Sequence, residues 1–79
     1  MDQNIARARN MLITYTELEQ QAQNVAKTGD FATAGKLHTS AKSALRQAER
    51  CILDEPGQTR TPQERLALIT RLLAEVRAA

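Results

Sequence analysis

From Phe31 to Ile52, residues recur in alternating steps of three and four with no change of phase: Phe31, Ala34, His38, Ala41, Leu45, Ala48 and Ile52. Leu37, Ala44 and Cys51 flank them. This is the spacing of a heptad-like helical seam, and it predicts one continuous helix over about 31–53. A second set, Ala8, Met11, Tyr15, Leu18, Ala22 and Val25, keeps the same steps upstream, bordered by Ile5, Leu12 and Ala26. With only a few residues between the two patterns, the helices must run antiparallel as neighbours.

The ends of these helices are marked. Gly29 stands where a helix terminates, and Asp30 is a good N-cap for the next. Pro56-Gly57 signals a turn, and Thr61-Pro62-Gln63-Glu64 is a capping box with proline at the first helical position. The expected architecture is all-α: an antiparallel helical hairpin plus a third helix, a three-helix bundle. Its elements are helix 1 at about 3–27, helix 2 at about 31–53, a loop at 54–61 and helix 3 at about 62–78, in a single domain over 1–79.

Alanine along a seam lets two backbones approach closely and leaves room for larger side chains opposite. It is also the best helix former. Folding the hairpin about Gly29 places Tyr15 near Ala44, Leu18 near Ala41, and Ala22 near Leu37 and His38. With one Phe, one Tyr and no Trp, the core must come from aliphatic residues. A chain of this size buries a modest share of its surface. Added burial from a partner or a second copy is therefore expected.

The third helix is apolar over a wider arc. Leu66, Ile69, Leu73 and Val76 form an inward stripe, and Leu68 and Leu72 extend it to about 160° where a surface helix needs about 100°. Either the helix lies in the hairpin groove and touches both partners, or Leu68 and Leu72 face outward. The second alternative makes Leu68, Leu72 and Arg71 a partner-binding surface, with Ile13, off the buried face of helix 1, as an outlier.

Catalytic groups are sparse. His38 and Cys51 lie thirteen positions apart on one helix, about 20 Å at 1.5 Å per residue, so they form no dyad in a straight helix. One His and one Cys do not make a structural zinc site. His38 reads as a border residue of the seam, satisfied by water or a nearby Gln, and Cys51 as a small buried hydrophobe. The acids Glu17, Glu19, Asp54 and Glu55 are scattered. The reading is of no enzyme, no cofactor and no metal. A single cysteine gives no internal disulfide, and no apolar run reaches the length of a membrane span. Together with an N-terminus lacking a signal-peptide core, this points to the cytoplasm.

Lys42, Arg46 and Arg50, spaced by four, form a basic stripe on the outward side of helix 2, interrupted by Glu49. They are the candidate nucleic-acid contacts, although no aromatic interleaves them for base stacking. A helix-turn-helix within Ala32–Arg50 is the related alternative. It places His38 where the turn has glycine, and the seam runs through the turn without a phase break.

The stretch Leu18–Ala41 resembles a tetratricopeptide-type helix pair. Leu18, Ala22 and Val25 match its first-helix packing positions, Gly29-Asp30-Phe31 its turn, and Ala34 and Ala41 its small second-helix residues. His38 stands where that family has an aromatic, and Arg46 where it often has proline. As a solitary three-helix unit, the chain is similar to the microtubule-interacting-and-trafficking type. That resemblance implies a module binding amphipathic peptides between helices. The expected function is a small non-enzymatic protein-binding module, acting as adaptor, secretion-type chaperone or inhibitor of a larger assembly. Its expected partner is an amphipathic helix, a larger assembly or a second copy. A nucleic-acid-binding regulator is the alternative.

Overall fold

A computed structural model describes residues 3–53 and 60–78 of the chain. They form three helices: α1 (Gln3–Lys27), α2 (Phe31–Leu53) and α3 (Pro62–Ala78). The fold is all-α, with α1 packed chiefly on α2 and α3 laid against both. The Pro56-Gly57 turn lies outside the described residues.

Gly29 ends α1 as its position requires. Its φ is +89°, a left-handed conformation that a residue with a Cβ enters at a cost. The last carbonyls of α1 are satisfied around it. The Val25 carbonyl accepts from the Thr28 backbone N–H at 3.0 Å and from the Thr28 hydroxyl at 2.7 Å, and the Ala26 carbonyl accepts from the Gly29 N–H at 3.0 Å. Asp30 then caps α2, its carboxylate accepting the Thr33 N–H at 3.1 Å. At α3, the Thr61 hydroxyl accepts the Glu64 N–H at 3.2 Å and donates to the Glu64 carboxylate at 3.1 Å. The two side chains of the expected capping box thus bind each other.

The molecule is elongated, about 46 Å in its longest dimension, and its interior is uneven along that length. Ala8 and Leu12 of α1, Ala48 and Ile52 of α2, and Leu68, Ile69 and Leu72 of α3 make one buried cluster. The hairpin residues joining it, Ile5, Met11, Leu45 and Cys51, come from the same end. α3 therefore covers the open end of the hairpin. Toward the Gly29 turn the buried positions are Ala22, Ala34, Ala41 and Ala44, an alanine seam that holds two backbones close with little bulk.

Three sequence expectations change. Leu12, expected at the border of the α1 stripe, is fully buried because α3 packs on that side of α1. Phe31, expected in the α2 seam, is 72 % exposed. It is the first residue of α2, beside the turn, where little of α1 remains opposite it. Leu66, expected inward on α3, is 55 % exposed.

Candidate interaction surfaces

Leu68 and Leu72, expected as outward contacts to a partner, belong to the buried cluster; Leu72 is 2 % exposed. The physical reason is the hairpin groove. A helix lying in it turns one side of its apolar arc inward, and here that is the side carrying Leu68, Ile69 and Leu72. Leu66, on the arc's edge, is left outside. The groove-filling alternative is the one observed, and it removes these two leucines from any exposed surface.

Arg71 and Ile13 stay outside. Arg71 lines a shallow depression with Arg60, Glu64, Ala67 and the edge of Leu68. Ile13, 39 % exposed, lines a second with Arg9, Glu75 and Val76. Glu75 follows Arg71 by one helical turn, so both depressions lie along one edge of α3. Across that edge Arg9 donates to the Glu75 carboxylate at 3.1 Å. Both partners are half exposed, so the bridge orients α3 more than it stabilises it.

His38 is settled by a carboxylate, where water or glutamine was expected. Its Nδ1 lies 2.7 Å from Glu19 Oε1, joining α2 to α1. The pair lies within one helical turn of the expected Leu18–Ala41 and Ala22–Leu37 appositions and is consistent with that register. Cys51 is a half-buried free thiol beside a depression of about 260 Å³ lined also by Arg7, Asn10, Met11 and Gln47. Sequence reasoning missed Glu19 because the pairing needs the hairpin register to bring it opposite His38.

Lys42, Arg46 and Arg50 are all exposed, on a helix that runs unbroken through the proposed helix-turn-helix. None of the three forms an ion pair or hydrogen bond among the described residues. α2 carries four cations, Lys36 included, against the single acid Glu49. Like charges four apart cost a helix about 0.2–0.5 kcal/mol per pair, and this stripe contains two such pairs.

The face of the hairpin away from α3 carries a pattern that the main seam hides. On α1, Met11, Thr14, Leu18, Gln21 and Val25 follow steps of three and four; on α2, Leu37, Ser40, Ala44, Gln47 and Cys51 do the same. Met11, Gln47 and Cys51 meet in the depression just described, which no residue of α3 lines. Steps of seven carry that face along both helices. Met11, Leu18, Val25, Leu37 and Cys51 are half-buried, while Gln21, Ser40 and Gln47 are exposed. None of the ten residues is charged, but Arg7, one step of four before Met11, continues the α1 row and lines the same depression. This second seam went unread in the sequence because its apolar members also serve the edge of the first.

Among the described residues no helix is long and apolar enough to cross a membrane, and no group of His, Cys, Asp and Glu is placed to hold a metal ion. No protein-family model matches the sequence, and comparison with curated proteins and with solved structures finds no significant match.

Proposed function

We propose that this chain is a non-enzymatic protein-binding module, acting in the cytoplasm as an adaptor, chaperone or inhibitor of a larger assembly through a helical surface. The observation that carries this reading is the second seam. α3 occupies one face of the hairpin, and the opposite face repeats helix-packing periodicity on both helices with its apolar members half covered. α3 itself illustrates how this hairpin receives a helix, with leucines set over alanine and isoleucine. The contact surface thus moves from Leu68 and Leu72 to Leu18, Val25 and Leu37.

A second reading rests on a different observation, the exposed cations Lys42, Arg46 and Arg50 of α2, which form no ion pair among the described residues. Lys42, Arg46 and Arg50 would contact a nucleic-acid backbone, with affinity falling steeply as salt rises. One experiment separates the two. Tagged wild type, Leu18→Glu and Arg46→Glu chains are expressed in the source cells, crosslinked and purified. The protein-binding reading expects a protein partner lost with Leu18→Glu and kept with Arg46→Glu. Capture indifferent to Leu18→Glu defeats it, and nucleic acid recovered with wild type but lost with Arg46→Glu establishes the alternative.

A further inference from the structure

We infer that Glu19 and His38 form a proton-operated latch on the turn end of the hairpin, closed most firmly while the imidazole is charged. The inference concerns the fold itself and stands apart from the protein-binding reading.

The first ground is what holds that end. Between Tyr15 and Ala44 the buried positions are Ala22, Ala34, Ala41 and Ala44, so apolar burial there is slight. Among the described residues of that stretch, no other side-chain hydrogen bond or ion pair joins α1 to α2. Thr16, Thr28 and Thr39 bond carbonyls three or four positions before them, Gln20 bonds Asn24, and Asp30 caps α2. Glu19–His38 is thus the polar tie across the alanine seam, and it falls on the chain's single histidine.

Protonation changes that tie in kind. His38 Nδ1 lies 2.7 Å from Glu19 Oε1. A carboxylate only accepts, so the bond needs a hydrogen on Nδ1. The imidazolium always carries one, and its bond to a carboxylate is charge-assisted, about twice as strong as a neutral one. The neutral ring has one hydrogen for two nitrogens. With that hydrogen on Nε2, the Nδ1 lone pair faces the carboxylate and the tie is lost.

The neighbouring charges do not engage the pair. On α2, Lys36 and Lys42 lie within one turn of His38; on α1, Tyr15 and Glu17 lie within one turn of Glu19. None of the four bonds to either member. α3 meets α1 alongside Ile13, through Glu75 and Val76, and Arg77 is its last charged residue. The added hold is present where a glutamate is ionised and a histidine protonated, between their ordinary values of about 4.3 and about 6.5. It is lost as pH rises through the histidine's titration. The two side chains are 50 % and 25 % exposed, and water screening keeps the change in the opening equilibrium to about two- to fivefold.

The test is native-state hydrogen exchange of the amides of Leu18–Val25 and Ala34–Ala41 at pH 5.5 and pH 7.5, corrected for intrinsic rates. It compares wild type with Glu19→Gln and His38→Gln. The Asp30 carboxyl, held below its ordinary 3.8, stays ionised across this range and adds nothing to the difference. Wild-type opening should rise about two- to fivefold from pH 5.5 to pH 7.5. Each variant should keep wild-type helicity and lose that rise. The Glu19→Gln result is the sharper one, because it leaves the histidine in place and removes only the charge opposite it. Wild-type opening that is constant or falls with pH overturns the inference, as does a rise retained in full by Glu19→Gln.

Discussion

At the scale of single residues, the hairpin turn concentrates the most specific chemistry. Gly29 holds φ +89° with nothing within 4 Å of where a Cβ would stand, so Gly29→Ala tests conformation without a steric clash. A non-glycine residue pays roughly 1–2 kcal/mol in the left-handed region, and stiffening the unfolded chain returns part of it. The expected loss is about 1 kcal/mol, read as a fall of roughly 4–8 °C in melting temperature for a domain of this length. An unchanged midpoint would remove the turn from any role in stability. Beside it, hydrogen bonds from Thr33, its hydroxyl first and its backbone N–H second, hold the Asp30 carboxyl below its ordinary 3.8. A depressed carboxyl stabilises the fold above its unfolded value and loses that contribution as pH falls through the folded one. Wild type should therefore lose stability in acid more steeply than Asp30→Asn, which keeps a capping oxygen but does not titrate. Denaturant titrations at pH 7 and pH 3 measure the difference, and parallel losses in the two proteins would exclude the cap as its source.

Helices are where sequence periodicity spoke most clearly and also where it failed. Caps are local chemistry, so the Gly29-Asp30 junction and the Thr61–Glu64 box were legible before any fold was known. The alanine seam was legible for the same reason: a period of three and four, sustained over six turns, has one interpretation. The rotation of α3 was not. Leu66, Leu68, Leu72 and Leu73 are chemically identical and span more than one face, so only the groove beneath them decides which are buried. Two substitutions check that decision. Leu72→Ala, at 2 % exposure in the cluster, should cost about 2–5 kcal/mol, while Leu66→Ala, at 55 % exposure, should stay within about 0.5 kcal/mol of wild type. Equal losses from urea unfolding would mean that α3 is rotated from the orientation described. The partner surface was misread for the same reason, since an over-wide arc looks like an interface until the groove that fills it is known. The second seam needed the opposite knowledge, namely which hairpin face α3 leaves alone.

Over the whole molecule, packing is graded from one end of the hairpin to the other, and stability should follow it. The open end buries Leu12, Ile52, Leu68, Ile69 and Leu72, each worth about 1.5–3 kcal/mol when fully removed from water. The turn end buries alanines, whose single methyl returns far less. The two helices there are held together by the close approach of the alanine seam and by the Glu19–His38 contact, so the turn end can open while the three-helix cluster stays intact. Native-state hydrogen exchange should show this directly. Amides around Leu18–Val25 and Ala34–Ala41 should exchange through openings of lower free energy than those of Leu12, Ala48 and Ile52, which should exchange only by global unfolding. Uniform protection along both helices would show a single cooperative unit and defeat the graded picture.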